Sequence, residues 1–143
     1  MDISKQGTDL IKEFEGFRDK AYKCPAGVWT IGYGHTLGVQ EGDVITKAEG
    51  QELLLCDLRT AISAVNSLVT VQLSQSQFDA LVSFVFNIGI GAFVRSTLLK
   101  VLNNCQYEQV PHELKRWNKS NGKVLAGLVR RREAEAQLFE RIK

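Results

Sequence analysis

The run Phe78-Asp-Ala-Leu-Val-Ser-Phe-Val-Phe-Asn-Ile-Gly89 constrains this 143-residue chain more than any other segment. Ser74-Gln-Ser-Gln77 is a capping box that opens it as a helix, and Asn87 with Gly89–Gly91 ends it. A helix that is apolar almost all round cannot rest on a surface, so it must be the centre of a helical body. Other helices have to surround it, and the chain supplies them. Thr46-Lys-Ala-Glu49 is a second capping box, opening a long helix to about Ser67 with Leu54, Leu58, Ala61, Ile62 and Val65 as its stripe. At about 20 residues this element would span roughly 30 Å. Cys56 falls off the stripe and reads as a partly buried structural thiol. Another helix starts at Ser96, and short helical segments follow near 108–117 and from about Leu125 to Ile142, with Asn118–Gly122 as the turn between them.

The first third of the chain reads differently. Thr8 is placed to cap a helix whose apolar stripe is Leu10, Ile11 and Phe14, and Gly16 is its stop. Glu15 then falls in the last turn, where the negative end of the helix dipole disfavours a charged carboxylate and suits a proton donor. A strand-rich segment follows over roughly 17–45. In Val28-Trp-Thr-Ile-Gly-Tyr-Gly34 a period of two puts Trp29, Ile31 and Tyr33 on one face and Val28, Thr30, Gly32 and Gly34 on the other. The first face is bulky and should pack inward. The second should be nearly bare around Thr30, leaving room for a ligand.

The expected architecture is α+β and mainly helical, a single domain over 1–143. A small lobe of about 12–50 carries a β-hairpin sheet, and a larger all-helical lobe comprises about 68–143 plus the first helix. A linking helix of about 47–67 joins them, with a ligand-binding cleft between the lobes. The three cysteines (Cys24, Cys56, Cys105) are odd in number and widely spaced, which argues against a disulfide framework. With only His35 and His112 as histidines, no cluster has zinc spacing, and no metal or other cofactor is expected. No apolar run approaches a membrane span, and the N-terminal residues lack the pattern of a signal peptide. The net charge of +2 hides an asymmetry: residues 1–94 carry 7 basic against 11 acidic side chains, and residues 95–143 carry 11 against 5. A basic second half suits an anionic polymer as partner: nucleic acid, acidic lipid or a cell-wall glycan.

Glu15, Cys24 and Thr30 lie in one compact stretch, a proton donor, a second reactive group and a water-positioning hydroxyl. The string Glu15-x8-Cys24-x5-Thr30, followed by Ile-Gly-Tyr-Gly-His35, resembles the catalytic segment of phage-type lysozymes, the endolysins of glycoside hydrolase family 24. Asn87-Ile-Gly-Ile-Gly-Ala-Phe93-Val-Arg-Ser96-Thr97 and Gly127-Leu-Val-Arg-Arg131-Arg132-Glu-Ala-Glu135 resemble two further blocks of that family, in order along the whole chain. The resemblance implies a lysozyme-like fold. It also implies hydrolysis of the β-1,4 bond between N-acetylmuramic acid and N-acetylglucosamine in peptidoglycan. Glu15 would be the general acid, Thr30 would help hold water, and Cys24 would stand where the family most often has Asp. Gly32, His35, Asn87 and Arg131 are the candidate substrate-binding residues. The Asn87 amide would bond an N-acetyl group or serve the helix end, and Arg131 and Arg132 would meet peptidoglycan carboxylates or pair with Glu135. For His35 a structural hydrogen bond or ion pair is the stronger reading.

A neutral thiol is a poor substitute for the second carboxylate of glycoside hydrolysis, whereas a thiolate could activate water or attack directly. Lys20, Lys23 and His35 are near enough in sequence to favour the thiolate. Two mechanisms follow: inversion, with Cys24 and Thr30 positioning a water, or retention through a thioglycosyl intermediate. A cysteine-type peptidoglycan amidase is the rival class, and it leaves Glu15 and Thr30 without roles. The resemblance further implies a monomer acting on peptidoglycan glycan strands, with no nucleic acid as partner. The basic C-terminal half would contact the anionic wall or outer membrane. The enzyme would be held in the host cytoplasm until a holin-type protein releases it.

Overall fold

The computed structural model describes residues 1–141, so Ile142, the expected end of the last helix, lies outside the described residues. Two compact units divide the chain: Met1–Thr8 with the chain from Thr60 onward, and Asp9–Arg59. The helices are α1 Lys5–Glu15, α2 Lys47–Leu68, α3 Gln75–Ile88, α4 Ile90–Val94, α5 Thr97–Asn103, α6 Val110–Lys115 and α7 Ala126–Glu140. The strands are β1 Arg18–Lys23, β2 Trp29–Gly32, β3 Lys119–Ser120 and β4 Lys123–Val124.

In the helical unit α3 is buried on every side, with Phe78, Ala80, Leu81, Val82 and Phe84 all inaccessible to solvent. Its capping box forms as the sequence indicates: the Ser74 hydroxyl accepts from the Gln77 N–H, and the Gln77 side chain caps the Ser74 N–H at 2.9 Å. Helix α7 packs along α3 and α6, and α5 packs on α6. Phe84 meets Phe93 and Trp117 edge-on, at ring separations of 6.3 and 5.7 Å. The second capping box is also present, with Thr46 N–H on Glu49 at 2.9 Å and Glu49 N–H on the Thr46 hydroxyl at 3.1 Å. The expected stripe of α2, from Leu54 to Val65, is buried.

Three local expectations need correction. Helix α1 begins at Lys5, so Thr8 is inside it and its hydroxyl donates back to Ser4 O at 3.1 Å. Asp79, a buried carboxylate of α3, serves that helix start instead: it accepts from the Ser4 N–H at 3.0 Å and from the Ser4 hydroxyl. The approach is close enough that a Cβ on Gly7 would lie 2.7 Å from Asp79 Cβ. Cys56, expected partly buried, is exposed. The turn after α6 is a short hairpin, β3–β4, whose corner residues Asn121 and Gly122 take φ of 52° and 77°. Asn-Gly is the pair that adopts two successive positive φ angles most readily.

The other unit is built on an antiparallel β1–β2 pair, Tyr22 opposite Thr30 and Lys23 opposite Trp29, with a register shift between Arg18 and Tyr22. Residues 43–45 run along the outer edge of β1: Ala21 N–H bonds Asp43 O and Ile45 N–H bonds Asp19 O, each at 2.9 Å. Phe17 packs its ring 5.2 Å from that of Tyr33.

Beneath the helical packing lies one ionic cluster. Glu135 is fully buried between Arg132 (2.5 Å to Oε1) and Arg131 (3.3 Å to Oε2), and Ser83 Oγ donates to Oε2 at 2.5 Å. Burial pushes the Glu135 carboxyl up, and the two guanidinium groups and the hydroxyl oppose that push. Removing one member of such a buried set leaves the others charged and unpaired. Glu135→Ala should therefore lower the unfolding free energy by about 3–5 kcal/mol in urea titration. Arg116→Ala breaks only the Glu113 pair, whose arginine is mostly exposed, and should cost at most about 1 kcal/mol.

Candidate active site

Helix α1 delivers Glu15 at its last position, and Gly16 stops it with φ +70° and its N–H on Lys12 O at 2.9 Å. Glu15 is half-buried. The hairpin returns to meet it: a Cβ built on Gly34, at φ +84°, would stand 3.1 Å from Glu15 Oε1. Position 34 thus needs glycine twice over, for its backbone conformation and for the approach of the carboxylate. Reciprocal 2.9 Å bonds between Ile31 and His35, N–H to carbonyl in each direction, close the turn that holds Gly34 there.

His35 secures the same turn with its side chain. Nδ1 lies 2.8 Å from Asp57 Oδ2 in α2, and Nε2 lies 2.9 Å from Leu37 O. Both ring nitrogens have internal partners, which is the structural role expected for His35. Asp57, 22 residues away, carries no local signal that could have announced it.

Cys24 opens the turn between the strands, its N–H on Val28 O at 2.9 Å and its carbonyl accepting from Gly27 at 2.8 Å. Backbone hydrogen bonds at Val28 and Ala26 hold its thiol below the ordinary cysteine range, with help from the Thr30 hydroxyl and against a smaller upward push from burial. Lys20, Lys23 and His35, expected to do this, take no part: Lys23 instead sits 5.4 Å above the Trp29 ring. Local amides stabilise an anion here as they do at other turn-built anion sites.

Thr30 is on β2 opposite Tyr22 and donates to Val28 O at 3.0 Å. The bare face expected around it is not open. Thr30 is 4% exposed, and a Cβ on Gly32 would come 3.2 Å from Ile45 Cδ1 and 3.5 Å from Gly50 Cα. The missing side chain at Gly32 makes room for α2 and its leading loop.

The remaining candidates lie in the helical unit. Asn87 is exposed near the C-terminal end of α3, its Oδ1 accepting from Arg132. Arg131, expected to reach a wall carboxylate, is 4% exposed; its Nε faces Glu135 and its terminal nitrogen donates to Ser83 O at 3.2 Å. The internal pairing is the one that forms. Arg132 likewise takes the internal pairing with Glu135, three residues on along the same helix, whereas Ser83, 52 residues before Glu135, carries no local signal for its part in the cluster. Among the described residues no group of His, Cys, Asp and Glu is arranged to hold a metal ion.

Residues 12–135 match the family model for phage lysozyme. The chain belongs to the phage lysozyme family. It is 48% identical to an endolysin of Acyrthosiphon pisum secondary endosymbiont phage 1, over 98% of this chain and 99% of that one. An endolysin of Salmonella phage P22 is 42% identical over 97% and 98%. Among solved structures, the muramidase domain of SpmX from Asticaccaulis excentricus superposes with a TM-score of 0.93 at 45% identity, covering 99% of each chain. The fold is lysozyme-like, mainly helical with a small antiparallel sheet, and the chain is a glycoside hydrolase of the lysozyme class.

The lowered Cys24 thiol sets a direct test within this family fold. Iodoacetamide reacts with thiolate, so the pH midpoint of Cys24 alkylation, followed by peptide mass spectrometry, should lie below that of free cysteine at about 8.5. Thr30→Val removes one of the stabilising hydrogen bonds and should move the midpoint upward. A wild-type midpoint at or above that of free cysteine would contradict the assignment.

Proposed function

We propose that the chain is an endolysin muramidase that hydrolyses the β-1,4 bond between N-acetylmuramic acid and N-acetylglucosamine in peptidoglycan, with inversion. Glu15 donates a proton to the glycosidic oxygen as the bond breaks. Cys24 and Thr30 position and activate the water that attacks the anomeric carbon from the opposite face.

The observation that carries this reading is the environment of Cys24. Glycoside hydrolysis needs a second group, ordinarily a carboxylate, to stabilise an oxocarbenium-like transition state and to draw a proton from water. A thiol whose neighbours favour its ionised form supplies that charge in place of a carboxylate. Thr30 suits a water ligand because its single hydroxyl proton is directed at Val28 O, which leaves lone pairs to receive a proton from water. Glu15 suits the acid role through its half-buried seat against Gly34.

That the relatives are an endolysin and a muramidase domain supports action on the bacterial wall. The excess of Lys and Arg after residue 95 would hold the enzyme on an anionic glycan, with binding that weakens as salt rises. Action as a monomer, and release to the wall by a holin-type protein, complete the reading.

Turbidity loss and reducing-end release on purified peptidoglycan provide the test. Glu15→Gln should lose about 10²–10⁴-fold in rate, the usual range for a positioned general acid. Cys24→Ser, which cannot ionise near neutral pH, should also lose most activity, and Cys24→Asp should retain more. Inversion predicts an α-anomeric product by NMR. A β product would instead establish attack by Cys24 itself, and new amine ends without reducing ends would point to an amidase.

A further inference from the structure

Gly50 lies near the start of α2, inside a helix, where glycine is a poor residue and alanine a better one. What it faces explains its presence. A Cβ at position 50 would stand 2.5 Å from Cε1 of Phe17 and 3.2 Å from Cδ1, and the first of these is closer than packed carbon atoms come. The ring of Phe17 therefore rests on bare helix backbone. Its other neighbour is Tyr33, whose buried ring lies 5.2 Å away at an angle of 51°.

Chain connectivity gives this contact its meaning. Phe17 stands two residues after Glu15, and Tyr33 stands one residue before Gly34. Between Glu15 and Phe17 is Gly16, at φ +70°, with no atom within 4 Å of where a Cβ would lie. The joint stands in open space, so its course is set by what holds it on either side. On the helix side, Lys12 Nζ donates to Gln51 Oε1 at 2.8 Å and lies 5.8 Å from the centre of the Tyr33 ring. On the strand side, Phe17 meets Gly50. Two successive residues of α2 thus brace the chain before and after Glu15. A groove of about 450 Å³ runs beside them, lined by Phe17, Tyr33, Lys12 and Gln51 with their neighbours, so the ring is braced without being enclosed.

We propose that Phe17, seated on the bare backbone of Gly50, is a positioning residue for the catalytic acid: through its ring contact with Tyr33 it fixes how Glu15 meets Gly34. The inference rests on the reading of Glu15 as general acid and deepens it, by assigning the acid's placement to a contact outside the reacting groups. A Cβ on Gly50 must drive the ring away by about 1 Å to restore ordinary carbon contact, and the groove gives it somewhere to go. A misplacement of about 1 Å at a reacting group costs about a hundredfold in rate, and passed through two residues of backbone it should cost about tenfold in kcat. Substrate contacts in the ground state are untouched, so KM should hold.

Gly50→Ala and Phe17→Leu test this from opposite sides, one crowding the ring and the other removing it. Phe17→Leu adds no atoms and carries the test should Gly50→Ala not fold. Three readouts are taken: kcat and KM on solubilised peptidoglycan, the carboxyl resonance of Glu15 in carbon-13 labelled protein (assigned by its loss in Glu15→Gln), and the alkylation midpoint of Cys24. Each variant should move the Glu15 resonance and lower kcat about tenfold, with KM within about twofold of wild type. The Cys24 midpoint, which reports the turn of the same hairpin, should stay where it is. Combining the two substitutions should cost no more than Phe17→Leu alone, because leucine leaves room for the added methyl. An unmoved Glu15 resonance in both variants would overturn this inference and leave the acid reading standing. A loss expressed in KM, or accompanied by a shifted Cys24 midpoint, would show a general loosening of the hairpin and overturn it too. Full activity in Glu15→Gln would overturn the acid reading and this inference with it.

Discussion

Glu135 is the point on which the helical unit depends. A carboxylate with no exposed surface is tolerable only where its charge is answered from several sides, and Arg131, Arg132 and Ser83 answer it. The same bonds tie α7 to α3, because Ser83 is on the one helix and Glu135 on the other. Through Arg132 the tie extends to the carbonyl of Trp117 and to the end of α3 at Asn87. Hydrophobic contact alone would hold these helices together without fixing how far one slides along the other. The ionic cluster removes that freedom, since its bonds are short and directional.

The hairpin unit uses a different device. Its small sheet offers little area to bury, and its precision comes from backbone bonds in tight turns. Ile31 and His35 bond each other through their main chains, His35 is anchored on Asp57, and Cys24 and Val28 close the turn between the strands. These bonds decide where Gly34 lies under Glu15 and which amides face the Cys24 sulfur. The candidate site residues of this unit are placed by the backbone around them.

Local signals in the sequence match the structure where the physics is local. Both capping boxes, the stop at Gly16 and the all-round burial of α3 follow from residues within one or two turns of each other. Thr8 misled because a competing cap came from Asp79, some 70 residues on, and no periodicity reveals that. The face of Thr30 misled for a related reason: glycines that look like open space were room for Ile45 and Gly50. The candidate site is legible in the sequence as a set of residue types. The lowered thiol was anticipated, but its cause was assigned to nearby cations, whereas the amides of its own turn supply it. Arg131 was legible only as a choice between two partners, and burial decides for the internal one.

The hydroxyl of Thr30 has one proton and two claimants. It points at the Val28 carbonyl, and it is also among the groups that favour the ionised form of Cys24. A thiol can donate to that oxygen and leave the proton where it is. A thiolate cannot, and draws the proton toward itself. The change needs no heavy atom to move, only rotation about the Cβ–Oγ bond. The carbonyl of Val28 then keeps the Cys24 N–H and gives up the hydroxyl as the sulfur gains it, so the ionisation of one side chain is recorded as a torsion in another.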